Sequence, residues 1–352
     1  MSPDEHGIWV TRLIDKGRER TVDRPVVVGL ATLGLVPVVL SAAYFGLTWG
    51  ETTLRFAVSH ALAALVAVVG APAIWYWERR VFTGFVAGTR SLVADGTAFD
   101  SVTERYRERF RNDYWLFTVP WAALIVGIVA MNVEFFRTVG VSGYGDPVFW
   151  LYLAFAAWWG LVTGIGFFGA FVTVQCIRAV GDLDLHIEPL HTDGLGGLSS
   201  IGSFAVWTTM LISLGSLTLP LAFLLAAEGG YTAVVSVAVL LYVVTIAGSF
   251  LYPTVYIHHR AQRIRTDELE DRRERIRSLQ REMDGAGTAV GKGGEMQETA
   301  KRLEIQRLRD EYNEYDSVNL YPLSVNILVR LLSSVLLPVF LILFETFVGR
   351  TL

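Results

Sequence analysis

Four stretches of the chain carry no charged residue: Pro25–Gly50, Pro147–Ile177, Gly194–Ala227 and Gly229–Ile257. Each exceeds the roughly 20 apolar residues that a helix needs to cross a hydrocarbon core of about 30 Å. Shorter apolar runs complete the set. The pattern predicts an all-α, polytopic membrane protein of seven transmembrane helices. They fall at Pro25–Leu47, Phe56–Trp77, Tyr114–Phe136, Pro147–Ile177, Ser203–Ala227, Tyr231–Ile257 and Leu331–Val348. The links after the first, third and fifth spans are short. Those after the second and sixth are long and charged, so the charged links fall on one side.

The polar segments have periods of their own. Residues 1–24 form a polar segment with five Lys and Arg residues, in which Ile8, Trp9 and Leu13 suit a short interfacial helix. The first span exceeds a signal-peptide core and is expected to be uncleaved. Ser101–Asn112 opens with a capping box, Ser101 and Glu104. Val102, Tyr106 and Phe110 follow at four-residue steps and give one apolar stripe. Residues 25–258 thus form a six-helix membrane region, with charged loops at 79–113 and 178–202.

Residues 259–320 predict a coiled-coil-like helical hairpin. Its first arm continues the sixth span through Arg260–Met283, with Leu269, Ile276, Leu279 and Met283 on one face. Asp284–Gly294 is a glycine-rich turn. The second arm, Glu295–Tyr315, aligns Ala300, Leu303, Leu308, Tyr312 and Tyr315. Glu268–Arg272, Asp271–Arg275 and Glu298–Arg302 are favourable pairs four residues apart. Residues 321–352 hold the seventh helix and a short tail.

Composition adds orientation. Of 352 residues, 52% are hydrophobic and 18% charged, where soluble domains carry about 25% charged. A net charge of −4 gives no field for nucleic acid. The single cysteine, Cys176, excludes a disulfide framework. Three lysines stand against 27 arginines, a usage that points to a GC-rich prokaryotic genome. With the N-terminus inside, 27 of the 30 Lys and Arg residues are cytoplasmic, and only Arg55, Arg137 and Arg350 lie outside. The positive-inside rule therefore predicts a cell-membrane protein with N-terminus in and C-terminus out.

Candidate chemistry is sparse. Asp182, Asp184, His186 and Glu188 alternate with apolar residues, so an extended segment would place them on one face. With His191 and Asp193 nearby, and His258 and His259 at similar depth, they could ligate a divalent metal or a ligand. The plainer alternative is a solvated, turn-rich loop, with no cofactor. In the seventh span, Arg330, Ser334, Leu337, Leu341 and Glu345 recur at steps of three and four. Facing a shared axis in a homo-oligomer, Glu345 would form an acidic ring and the leucines a hydrophobic gate. Alternatively, Arg330 and Glu345 simply snorkel at the two interfaces.

Other features have ordinary explanations. Thr138–Asp146 resembles a potassium filter but carries an insertion that breaks its carbonyl rings, and is expected to be a glycine-rich turn. His60 and the Glu134–Arg137 pair are shallow ionisable groups within or beside spans. Gly160, Gly164, Gly166 and Gly169 permit close helix packing. No lysine falls in the last span, which excludes a retinal protein. A Walker phosphate loop, a His-Glu-x-x-His helix, a Gly-x-Ser-x-Gly elbow and a serine–lysine pair are missing, so enzyme activity is not expected.

The sixth span prolonged into a cytoplasmic helix, and a seventh entering from the cytoplasm near Leu331, give a layout that resembles the insect odorant and gustatory receptor channels. The resemblance covers the topology of the whole chain. It is carried by no specific motif: the family's Thr-Tyr and Gln-Phe pairs in the last span are missing here, and the nearest stretch is Leu343-Phe-Glu-Thr-Phe347. The resemblance implies an oligomeric cation channel whose last helix lines the pore and whose cytoplasmic helices mediate assembly. Three alternatives remain open: a small-solute transporter, a non-conducting scaffold or sensor whose hairpin binds a cytoplasmic partner, and, as a minor one, a metal-dependent membrane enzyme built on His186, Glu188 and His191.

Overall fold

A computed structural model describes residues 7–20, 23–186, 188, 191, 195–230, 232–286 and 292–317. In chain order these form α1 (Trp9–Arg20), α2 (Pro25–Thr32), α3 (Leu35–Leu47) and α4 (Leu54–Tyr76). A π-helical turn (Trp77–Val81), α5 (Phe82–Thr89) and a 3₁₀ turn (Arg90–Leu92) prolong α4. Then come α6 (Gly96–Met131), α7 (Val133–Thr138), α8 (Pro147–Gly181) and α9 (Ser199–Ser213). A 3₁₀ turn (Leu214–Thr218) leads to α10 (Leu219–Gly229), α11 (Thr232–Ala286) and α12 (Lys292–Ser317).

The described chain is all-α, and six of its helices are long and apolar enough to cross a membrane: Pro25–Leu47, Leu54–Leu92, Gly96–Met131, Pro147–Gly181, Ser199–Gly229 and Val235–Met283. The expected seventh span, Leu331–Val348, lies outside the described residues. Protein covers only 22% of the apolar window of α6, against 61% for α8. Val38, Val39, Leu116, Val119, Leu240 and Val244 are among the large apolar side chains left exposed. Water does not tolerate apolar patches of that extent on a monomer, which fits a multi-pass protein covered by lipid.

Helix α8 is the central element, and its broadest contact is with α6. A Cβ at Gly160 would stand 2.7 Å from the Ala122 Cα, and one at Gly164 3.0 Å from the Thr118 Cα. The expected close-packing role of these two glycines is therefore realised. The first span breaks at Gly34, where a Cβ would meet the Val68 carbonyl oxygen of α4 at 3.0 Å.

Several local expectations need correction. Helix α6 begins at Gly96, not Ser101, and continues unbroken into the third span. Asp95 caps it, accepting from the Thr97 N–H (2.9 Å) and the Ala98 N–H (3.2 Å). With its cap already upstream, Ser101 donates to the Ala98 carbonyl instead. The Val102, Tyr106 and Phe110 stripe does pack on the core, with Phe110 buried.

In the hairpin, α12 runs antiparallel to α11, as Lys301–Glu282 and Arg265–Asp316 show. Leu303, placed on the inner face by sequence, is 63% exposed, and Ile305 is buried instead. The facing positions are Lys301, Ile305, Leu308, Tyr312 and Tyr315, alternating in steps of four and three, and Leu303 lies about half a turn away. Glu268–Arg272 and Glu298–Arg302 pair as expected. Arg275 instead reaches across to Glu304 (3.5 Å).

Candidate functional site

The bundle has a charged end, where α1, the C-terminal ends of α4 and α8 and the N-terminal end of α9 meet, and a far end around residues 132–146. The charged end holds the densest polar geometry. Helix α1 buries Val10, Thr11, Ile14 and Asp15 and leaves Leu13 48% exposed. It is thus docked on protein along one face, and Ile8 is buried with it.

Two residues of the π-helical turn hold α1. The Glu78 carboxylate accepts from the Thr11 hydroxyl (2.5 Å) and from the Ile8 N–H, so it sits at the N-terminus of α1, where the helix dipole favours an anion. Arg79 donates to Asp15 through Nε (3.0 Å) and Nη2 (2.6 Å), and the Trp75 indole N–H donates to the other oxygen (2.7 Å). Asp15 retains only 9% of its side-chain exposure and Arg79 28%. A buried carboxylate requires such partners, because desolvation is otherwise uncompensated. The π turn advances the backbone registry so that adjacent residues grip the two ends of one stretch of α1.

Sequence reasoning missed this cluster. Glu78, Arg79 and Arg80 follow the second span and pass for ordinary interfacial charges. The available signal was Asp15, which shares the apolar arc of α1 with Val10 and Ile14.

The candidate ligand loop is where the alternation predicted an extended segment. Leu185 bridges to Val93, the Ala94 N–H donates to the Asp184 carbonyl (3.1 Å) and the His186 N–H to that of Leu92 (2.6 Å). Leu185 points inward while Asp184, His186 and Glu188 are exposed. His191 is half-buried, and Asp193 lies outside the described residues. Among the described residues no three His, Cys, Asp or Glu side chains are grouped to hold a metal ion. Asp182 turns away from the loop, accepting from the Tyr256 hydroxyl of α11, while Arg260 Nε donates to the Gly181 carbonyl (2.9 Å). These contacts tie the end of α8 to α11. The gate residues Arg330, Ser334, Leu337, Leu341 and Glu345 all lie outside the described residues.

At the far end the glycine-rich segment is a turn. Gly140 and Gly143 have φ of 91° and 121°, and Asp146 accepts from the Ser142 N–H (2.8 Å) and the Val148 N–H (2.9 Å), capping α8. Those two N–H groups hold the Asp146 carboxyl below the usual range. Arg137 pairs with Glu134 at 2.7 Å. His60 is only 2% exposed, with Nε2 2.8 Å from the Ser41 hydroxyl and Nδ1 3.3 Å from the Tyr152 hydroxyl. Aromatic rings of Phe45, Phe56 and Phe155 enclose it. It is a satisfied core histidine.

At membrane level a cavity of about 180 Å³ lies between α4, α8 and the α9–α10 segment. Among the described residues no ionisable side chain lines it. No family model, curated protein or solved structure matches this chain.

Proposed function

We propose that this is a multi-pass cell-membrane protein that works as a scaffold or sensor. The membrane bundle anchors it, the charged end faces the cytoplasm, and the α11–α12 hairpin presents the working surface to a cytoplasmic partner. One observation carries the proposal. Helix α11 is a single helix of 55 residues, about 82 Å long, against a hydrocarbon core of about 30 Å. It binds the end of α8 through Tyr256 and Arg260 and continues into a hairpin with a charged outer surface. In this reading the continuous helix is the element that would carry a displacement within the bundle to the hairpin.

A small-solute transporter has less support, because the membrane-level cavity is lined, among the described residues, by Leu, Val, Ile, Ala, Gly, Phe, Trp and two threonines. The test is complementation. A chain in which residues 260–317 are replaced by a short linker should insert normally yet reproduce the defect of a strain lacking the gene. Full complementation by that chain would overturn the proposal.

The second reading is a homo-oligomeric cation channel, favoured by the Arg330, Ser334, Leu337, Leu341 and Glu345 stripe and by the receptor-channel layout. It expects Ser334→Cys to crosslink between subunits, and currents whose cation preference weakens in Glu345→Lys. Silent planar bilayers containing folded protein would count against it.

A further inference from the structure

Gly166 departs from its neighbours on α8. Among the described residues, a Cβ there would meet no atom within 4 Å, whereas those at Gly160 and Gly164 would strike α6. Gly166 faces the cavity at membrane level, which extends from Leu65 on α4 to Trp77 at the start of the π-helical turn. Twelve residues of helix correspond to about 18 Å, comparable with the ~15 Å of hydrocarbon in one leaflet.

The chemistry of the lining selects the occupant. The Trp77 indole N–H donates to the Thr208 hydroxyl (2.8 Å), which lies 3.2 Å from the Thr173 hydroxyl. The Thr163 hydroxyl donates to the Trp159 carbonyl (2.8 Å) and accepts from the Trp121 indole (3.0 Å). The side-chain polar atoms of Trp77, Thr163 and Thr208 on the wall are thus already engaged with protein partners. A buried water needs about three hydrogen bonds, and this wall leaves too few to hold one. An empty void would forfeit dispersion contacts on every side. The cavity therefore suits hydrocarbon.

The way in is also visible. Leu65 is 50% and Leu214 37% exposed, and both border the cavity roughly midway along their spans. Leading to that mouth from the far end, Leu54, Val58, Ala61 and Leu65 are exposed at helical spacing and form one lipid-facing stripe on α4. A lipid tail lying along that stripe ends near the bilayer midplane, at the mouth, pointing toward Trp77.

We propose that the cavity beside Gly166 binds the terminal part of a membrane-lipid hydrocarbon chain, which runs along the Leu54–Leu65 stripe and inserts toward Trp77. The site is independent of the scaffold and channel readings above. The test uses the full chain in phosphatidylcholine vesicles, with a probe phospholipid bearing a diazirine on the last carbon of one acyl chain. Illumination should label peptides containing Val69–Ala73, Gly166 and Leu211–Leu217. Moving the diazirine to carbons near the headgroup should shift the adducts to the Leu54–Val58 region. Gly166→Leu, which fills the void, should reduce lining adducts several-fold and leave those at exposed Leu116 and Val119 unchanged. Equal labelling of the lining by both probes in the wild type, which needs no variant to fold, would overturn the proposal. So would undiminished lining adducts in folded Gly166→Leu.

Discussion

The glycines of α8 give a graded test of how the bundle is packed. Replacing Gly160 by alanine places a methyl carbon 2.7 Å from the Ala122 Cα and 3.1 Å from its Cβ. Ala122 belongs to a helix backbone and cannot rotate aside, so α6 and α8 must separate locally. Overpacking of this kind costs about 1–3 kcal/mol. The same substitution removes glycine's helix penalty, worth about 1 kcal/mol. Gly166→Ala gains that propensity and meets nothing within 4 Å. The difference between the two variants cancels the propensity contribution and isolates the steric cost of about 1–3 kcal/mol. Gly164→Ala, whose nearest neighbour is at 3.0 Å, should fall between them. Reversible unfolding in mixed micelles by increasing denaturing detergent reads all three. Equal midpoints for Gly160→Ala and Gly166→Ala would refute the close α6–α8 seam.

Other perturbations probe the two ends and the hairpin. Arg79→Ala leaves Asp15 buried with Trp75 as its remaining partner among the described residues. Because Arg79 is partly solvated the loss should be about 2 kcal/mol, read as faster proteolysis within α1. Asp146→Ala removes the α8 cap and should cost about 1 kcal/mol. The Asp146 carboxyl titrates low when folded, so its contribution is complete above the unfolded value of about 3.9 and is lost as pH falls through the lower folded value. Asp146→Asn should flatten that acid limb of the stability profile; an unchanged limb would mean that other carboxyls govern it. Arg272 lies 4.2 Å from the Tyr315 ring centroid and pairs with Glu268 and Glu311. Arg272→Ala should loosen the hairpin by about 1 kcal/mol, seen as faster amide exchange in α12 but not in α8.

The membrane architecture was legible because lipid imposes long charge-free runs, and the six described spans lie close to where those runs put them. The extent of α11 and α12 was also legible, since charge and periodicity continue past Ile257 without a breaker. Fine registry was not. Leu303 and Ile305 are both good candidates for a hairpin core, and only the pairing of the two arms decides between them. The polar cluster at the charged end needed tertiary information, because Asp15 and Arg79 are 64 residues apart in the chain. Gly166 carries the same spacing signal as Gly160 and Gly164, yet none of the described helices packs on it, so sequence alone could not separate a packing contact from a void.

The central claim, a bilayer-embedded bundle with its hairpin in the cytoplasm, is tested most directly by cysteine accessibility. Cys176 is fully buried and is the only native cysteine, so a Cys176→Ser chain accepts single reporters. Tyr144→Cys at the far end and Ser278→Cys on the hairpin are both at exposed or half-exposed positions. With a membrane-impermeant maleimide on intact cells, Tyr144→Cys should label at once and Ser278→Cys only after the membrane is opened. Labelling of Ser278→Cys on intact cells, with Tyr144→Cys protected, would contradict the account.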